Sequence, residues 1–201
     1  MPTRPGALLS PTHASVLLPD TMDLSTSTSN SAPFPSPAPV FSDAPRTEPD
    51  ENGLWTVELA GHEAFSSVRL KRAFTLPDSR HVVVLVDAKA LLLCADRDPT
   101  DYVLPAVPYW PSGKVKGLRE FLEPGQTRIP EMPYVLFSTR RSPGLGGLLG
   151  LSHEGVVSFR NGQHRARYLH FAGATCFPVE VHETEAENLR KYCGWVGAER
   201  S

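Results

Sequence analysis

The most informative part of the sequence is one segment that passes from a β-branched run through an Asn-Gly pair into a polar helix. It reads Val156-Val157-Ser158-Phe159-Arg160-Asn161-Gly162-Gln163-His164-Arg165-Ala166-Arg167-Tyr168-Leu169. The pattern predicts a strand over Val156 to Phe159 and a helix from about Gln163 to Ala172, with Gly173 as its C-terminal cap. A strand, a tight turn and a helix therefore follow one another without an intervening loop.

A turn of this kind is suited to binding an anion. The first N–H groups of a helix have no partner inside the helix, and the helix dipole places about half a positive charge there. Gly162 allows a ligand to approach the backbone, while His164 and Arg165 in the first turn can bind phosphate oxygens. The candidate phosphate-binding residues are Asn161, Gly162, Gln163, His164, Arg165 and Arg167.

The alternative interpretation is an ordinary tight turn whose arginines are solvated or paired with nearby carboxylates. A helical wheel gives one broad arc to Tyr168, Leu169, Phe171 and Ala172. Arg167 and His170 face away from that arc, so Arg165 is the better candidate of the two arginines. We expect Arg165 to be exposed at the helix start, where truncation would weaken ligand binding and leave the fold intact.

Other segments predict a mixed α+β domain. Strands are predicted over Leu54 to Leu59, His81 to Asp87, Tyr134 to Phe137 and Phe177 to Val181, and a second helix over Glu185 to Tyr192 before Gly194. Each strand candidate is short, rich in β-branched or aromatic residues, and bounded by glycine, proline or polar residues.

The first 50 residues differ in composition from the rest and contain half of the 20 prolines. Such a segment buries too little apolar surface to offset a chain entropy of about 1–2 kcal/mol per ordered residue. We therefore predict a disordered Pro/Ser/Thr-rich tail over residues 1–51 and one folded domain over residues 52–201.

Composition limits the class of protein. With 201 residues, 40% of them hydrophobic, the chain has material for one ordinary core. The formal net charge of -2 excludes a polycation that binds any nucleic acid, so phosphate contacts must be local. Three cysteines without CxxC spacing favour a reducing cytoplasm, and the lack of a run of about 20 apolar residues argues against membrane insertion.

The central segment, with Ala172-Gly173 and Phe177 to Val181, resembles the nucleotide-binding motif of the ParB/sulfiredoxin superfamily. The likeness extends more loosely to Ile129 to Val135 and Val83 to Asp87. Within that superfamily the chain is similar to the fertility inhibition and oncogenic suppression proteins of conjugative plasmids. The resemblance implies a mixed sheet with short helices, ATP hydrolysis, DNA cleavage, and blockage of DNA entry at the coupling protein of a type IV secretion system.

Two other roles within the superfamily are disfavoured. Sulfiredoxins have a nucleophilic cysteine where this chain has Gln163, so no thiol is available there for a reductase. A partitioning ParB also needs a helix-turn-helix domain and a dimerisation domain after the motif, and only about thirty residues follow it.

Weaker signals concern a glycine-rich segment and the carboxylates. Residues 142–150 resemble a phosphate loop, but no Lys-Ser or Lys-Thr follows, so a flexible loop is expected. The alternative is a lid that closes over the nucleotide, since glycine permits hinge motion. Phosphoryl transfer generally uses Mg²⁺, for which Asp87, Asp96, Asp98 and Glu131 are the nearest carboxylates. Each of these also fits an ordinary solvated turn, and the assigned metal ligands are Asp87 and Asp96.

The motif thus predicts the site, and the resemblance implies a cytoplasmic inhibitor of conjugation that acts as an ATPase and DNA endonuclease. The predicted catalytic residues are His164, Arg165 and Glu131, and the predicted ligands are ATP or CTP, Mg²⁺, DNA and the coupling protein. The alternative is a binding module that holds a nucleotide in the same pocket and occludes its partner protein without cleaving anything.

Overall fold

The structure is a computed structural model that describes residues 48–98, 100 and 102–197. The predicted tail therefore lies almost entirely outside the described residues, and its boundary with the domain stays a prediction. Within the described part, the chain contains six strands with short helices between most of them, and the strands form two sheets. The predicted mixed α+β fold class is confirmed.

The described strands are β1 (Trp55–Glu58), β2 (Ser67–Leu70), β3 (His81–Asp87), β4 (Tyr134–Arg141), β5 (His153–Asn161) and β6 (Cys176–His182). β1 and β2 form an antiparallel pair, and the other four make one sheet in the order β3-β6-β4-β5. β6 runs antiparallel to β3 and parallel to β4, while β4 and β5 are antiparallel. β6 has a strand on each side, and all of its residues except the last are buried.

The helices are α1 (Ala88–Ala95), α2 (Ser112–Leu122), α3 (Leu145–Leu148), α4 (Gln163–Phe171) and α5 (Glu183–Cys193), with a 3-10 turn over Val107–Tyr109. Leu91, Leu169 and Leu189, from α1, α4 and α5, are fully buried with Phe177 of β6 in one apolar cluster. Among the described helices, none has both the length and the apolar character needed to cross a membrane.

Every predicted strand and helix is found, with ends that shift by a few residues. β2, α1, α2 and the one-turn helix α3 were not predicted from the sequence. α1 follows β3 without an intervening loop and both are rich in apolar residues, so the change of periodicity is hard to see in the sequence. α2 contains Gly113 and Gly117, which are poor helix formers.

A buried glutamate holds the connection between the two sheets. Glu180 of β6 is fully buried and accepts hydrogen bonds from Arg72 Nε at 2.8 Å and from the backbone N–H of Ala73 at 2.6 Å. The Phe74 N–H also points to this carboxylate, at 3.2 Å. A charge buried at the centre of a sheet is tolerated only when its hydrogen-bonding capacity is satisfied, so Glu180 fixes residues 72–74 against β6.

We predict that Glu180→Gln lowers the free energy of unfolding by about 2–4 kcal/mol, because an amide cannot accept all of these hydrogen bonds and Arg72 loses its counter-charge. The matched control is Glu183→Gln, which breaks the exposed ion pair with Arg80 and should cost less than about 1 kcal/mol. Urea denaturation of both variants measures the difference. Equal losses would show that Glu180 does not hold the connection.

Candidate functional site

The turn between β5 and α4 is built around Gly162. Its φ is 83° and its ψ 14°, a left-handed conformation that side chains rarely adopt. A β-carbon at this position would lie 2.9 Å from the α-carbon of Pro133 and 3.1 Å from Nη2 of Arg165. Only glycine fits both the backbone conformation and the close approach, which confirms the predicted tight turn.

The start of α4 opens into a cleft of about 330 Å³. The first backbone bond inside the helix runs from the Ala166 N–H to the Gly162 carbonyl, so the N–H groups of the preceding turn have no partner within the helix. The cleft is lined by Leu118, Phe121, Arg128, Glu131, Asn161, Gly162, Gln163, His164 and Arg165. Five of the six predicted phosphate-binding residues therefore share one cleft, together with Glu131.

Arg165 is buried, which corrects the expectation of an exposed helix start. Only 8% of the residue is accessible. Its guanidinium donates from Nη1 to the backbone carbonyl of Glu131 and from Nη2 to Asn161 Oδ1 at 3.0 Å. Burial lowers the pKa of the guanidinium, and the nearby Glu131 carboxylate opposes that effect. Truncation of Arg165 would therefore disturb the fold of the cleft as well as the binding of any ligand.

His164 forms a pair with a lysine that sequence reasoning did not identify. Its Nε2 contacts Lys114 Nζ, and its ring lies edge-on to Trp110 with the centroids 5.2 Å apart. An ammonium group can only donate, so Nε2 accepts and the neutral ring carries its proton on Nδ1. Burial lowers the pKa of His164, and the charges of Lys114 and Arg167 act in the same direction. At neutral pH the side chain is therefore an uncharged imidazole.

Arg128 supplies the exposed positive charge of the cleft. Its guanidinium lies 5.8 Å from the centre of the Phe121 ring, and the residue is solvent-exposed. Glu131 is the only carboxylate among the described residues that line the cleft, and it faces Arg128 and Arg165 there. The sequence did offer a signal for this side of the site, since Lys114, Lys116 and Arg119 lie within six positions, but it could not show that α2 packs beside α4.

Arg167 lies outside the cleft. It pairs with Asp96 at the end of α1, and its side chain is 11% exposed. The wheel placed Arg167 away from the apolar arc, yet its side chain is mostly buried, and Phe171, assigned to that arc, is largely exposed. Direct phosphate binding by Arg167 therefore lacks geometric support.

The carboxylates assigned to a metal do not meet. Asp87 caps the start of α1 by accepting from the Ala90 N–H at 2.7 Å, whereas Asp96 follows the end of the same helix. At 1.5 Å per residue the two are separated by about 13 Å. Asp98 is engaged by Ser158 and Thr100, and within the described ranges no group of three or more potential ligands converges.

The glycine-rich segment lies at the wrong end of the sheet to be a lid. Residues 142–152 connect β4 to β5 beyond the pair Arg141 and His153, whereas Tyr134 and Asn161 pair beside the cleft. Along a strand these ends are roughly 20 Å apart. The segment also contains a helical turn, α3, rather than an extended flexible loop.

A comparison with family models agrees with the sequence resemblance. A family model described as plasmid fertility inhibition factor matches residues 83–194, a range that contains the whole cleft. No curated protein sequence matches at a significant level. One solved structure, a gold(I) cyanide derivative of oncogenic suppression activity protein, a plasmid fertility inhibition factor, is 16% identical. The match covers 70% of this chain and 69% of that chain, with a TM-score of 0.49.

We predict that Gly162→Ala lowers the free energy of unfolding by at least about 2 kcal/mol. An alanine there is strained by the left-handed backbone, and its β-carbon also comes too close to Pro133. Gly117→Ala is the control: it lies within α2 with no atom within 4 Å of its added carbon and should stabilise by about 0.5–1 kcal/mol. Thermal and urea unfolding measure both. A neutral Gly162→Ala variant would mean that the turn does not need glycine.

A second prediction concerns the titration of His164. Because its pKa is lowered in the folded protein, the unfolded chain binds this proton more readily, and stability is lost as the pH falls below about 6.5. Lys114→Met should raise the His164 pKa toward its ordinary value without restoring it fully, since burial is the larger cause. NMR titration of the ring protons tests this, with Lys116→Met as the exposed control. An unchanged midpoint in Lys114→Met would contradict the pairing.

Proposed function

This chain belongs to the plasmid fertility inhibition factor family, and on that premise we propose that it suppresses conjugative DNA transfer by binding nucleotide phosphate in the cleft at the start of α4. The observation that carries the proposal is the convergence at one helix start of N–H groups without partners inside the helix, the backbone of Gly162 in the cleft wall, and the side chains of Lys114, Arg128 and Arg165. Such a set of donors and charges favours an anion with several oxygens.

The residues divide the binding between them. The N–H groups of the first turn of α4 donate to the phosphate, and Arg128 approaches from the exposed side. Arg165 uses two of its five N–H donors on protein groups, so the others remain for the ligand. A nucleotide with more than one phosphate, ATP or CTP, matches the number of donors better than a single phosphate does.

Mg²⁺ fits the cleft through one protein carboxylate. Magnesium in nucleotide sites is commonly held by one or two carboxylates together with substrate phosphates, and Glu131 lines the cleft. When bound, the ion would neutralise charge on the phosphate oxygens. Asp87 and Asp96 belong to α1 and are not proposed as ligands.

For hydrolysis, we propose that His164 acts as the general base. A water attacks the terminal phosphorus, the bond from phosphorus to the bridging oxygen breaks, and the water proton passes to the neutral imidazole. Lys114 must first move from His164 Nε2, which phosphate would favour by attracting the ammonium group. The same steps at a phosphodiester give DNA cleavage.

A second candidate function, nucleotide binding without turnover, has its own supporting observation. The nitrogen that would act as the base is engaged by Lys114, and one carboxylate lines the cleft. In that case the nucleotide would set the conformation that occludes the secretion coupling protein, the partner that the resemblance implies. Phosphate release and plasmid nicking in the presence of Mg²⁺ distinguish the two, with His164→Ala as the test of the base.

We predict that Arg128→Ala weakens ATP binding roughly ten- to hundredfold, the equivalent of about 1.5–3 kcal/mol for a lost charge-assisted contact, and leaves the fold intact because the residue is exposed. Arg190→Ala, an exposed arginine on α5, is the matched control and should bind like the parent protein. Calorimetric titration measures both.

The same two variants should differ in how strongly they inhibit plasmid transfer in cells. Arg128→Ala should restore plasmid transfer from donor cells that express it, and Arg190→Ala should inhibit like the parent. If Arg128→Ala binds ATP and inhibits transfer normally, the cleft is not the nucleotide site.

A further inference from the structure

Two of the three cysteines meet inside the domain, and neither of them lines the cleft. Cys94 lies in the last turn of α1, and Cys193 ends α5, 99 positions further along the chain. Their sulfur atoms are 3.5 Å apart, and both residues are buried. A disulfide bond is about 2.05 Å long, so a movement of about 1.5 Å shared by two side chains would close it.

The two thiols differ in their readiness to ionise. The Cys193 thiol donates a hydrogen bond to Cys94 Sγ, and Nη1 of Arg97 lies 3.4 Å from the same sulfur atom. The hydrogen bond from Cys193, aided by the charge of Arg97, lowers the pKa of Cys94 to about 7, although burial and the nearby Glu154 carboxylate oppose the change. The hydrogen bond to Cys94 and burial both raise the pKa of Cys193. At neutral pH the pair therefore contains a nucleophilic thiolate beside a thiol that keeps its proton.

Cys176 provides a contrast within the same chain. It is also buried, at the start of β6, but among the described residues its side chain bonds to Thr175 rather than to a second cysteine. Burial raises the pKa of Cys176 to about 11. A buried thiol of this kind stays protonated and reacts slowly with electrophiles, so the reactivity expected of the Cys94 and Cys193 pair is not shared by every cysteine of the core.

A reagent must reach the pair through a local opening, because both sulfur atoms are shielded from solvent. Cys193 is the last residue of α5, and the chain after it is held to β3 by the Trp195 N–H, which donates to the Leu85 carbonyl at 3.1 Å. Val196 is already largely exposed. Ends of helices open at a lower free-energy cost than the core does, so release of this end uncovers the pair without unfolding the domain.

We propose that Cys94 and Cys193 form a reversible modification site, at which a peroxide oxidises the two thiols to a disulfide. The Cys94 thiolate attacks one oxygen of hydrogen peroxide, so that an S–O bond forms, the O–O bond breaks, and the departing hydroxide takes up the proton that Cys94 released. The Cys193 sulfur then attacks the sulfenic sulfur, so that an S–S bond forms, the S–O bond breaks, and water leaves. Two thiols thus lose two electrons, and the peroxide is reduced to two molecules of water.

The disulfide would join α1 to α5. Because it closes a long loop of the chain, it restricts the unfolded state and stabilises the folded one. It would also fix the end of α1, where Asp96 pairs with Arg167 of α4. An added thiol reverses the reaction by exchange, which returns the chain to its dithiol form.

The test treats the folded, full-length chain with hydrogen peroxide, then unfolds it, alkylates the free thiols and counts them by intact mass spectrometry. The reduced parent should carry three alkyl groups and the oxidised parent one, with a peptide that links Cys94 to Cys193. Dithiothreitol should restore all three thiols. The melting temperature of the oxidised parent should be higher by roughly 5–15 °C.

The matched control is Cys176→Ala, which removes a buried thiol and should still form the same cross-link. Cys94→Ala and Cys193→Ala should form none, and peroxide should not raise their melting temperatures. A parent protein that keeps all three thiols under excess peroxide overturns the proposal, and this result does not depend on whether any variant folds. A cross-link through Cys176, or oxidation to sulfinic acid without a cross-link, overturns it as well.

Discussion

Gly162 carries the chain from β5 into α4 in a left-handed conformation, with its α-carbon turned so closely toward Pro133 that no side chain fits between them. Pro133 is itself held, because its carbonyl accepts from the Glu180 N–H at 2.8 Å. The start of α4 is thereby fixed to the central strand β6 through two backbone contacts. Every donor in the first turn of the helix takes its direction from this arrangement, so the geometry of the cleft follows from it.

The residues before Pro133 extend the same constraint to the second sheet. Lys71, just after β2, donates to the Pro130 carbonyl at 2.9 Å and accepts from the Met132 N–H at 2.8 Å. Arg165 then closes the cleft wall by binding the Glu131 carbonyl and Asn161. A buried guanidinium is tolerable only with such partners, since an unpaired one would lose its hydration without compensation. The two arginines of the cleft thus differ in role: Arg165 builds the wall, and Arg128 meets the solvent.

The local part of this arrangement could be predicted from the sequence and the long-range part could not. The Asn-Gly pair after a β-branched run specifies strand, turn and helix within fourteen residues, because turn chemistry and periodicity are local properties. The burial of Arg165 depends on a carbonyl 34 positions away, and Lys114 reaches His164 from 50 positions away. A lid formed by residues 142–150 was an alternative that the sequence left open, and the structure excludes it because strand register, and not nearness in sequence, decides which end of a hairpin meets the cleft.

The charges around α4 explain why the cleft should be more stable with an anion than without one. Besides burial, Lys114 and Arg167 both lower the pKa of His164, and Arg128 lowers the pKa of Arg165 while Glu131 opposes it more strongly. Arg167 is paired with Asp96, so Glu131 is the carboxylate that faces Arg128 and Arg165 among the described residues that line the cleft. The dipole of α4 adds positive potential at the same end. If the cleft binds phosphate as proposed, the anion would add negative charge beside Lys114, Arg128 and Arg165, which Glu131 alone faces among the described lining residues, and this would favour the complex. Added salt screens this attraction, and it should therefore weaken phosphate binding.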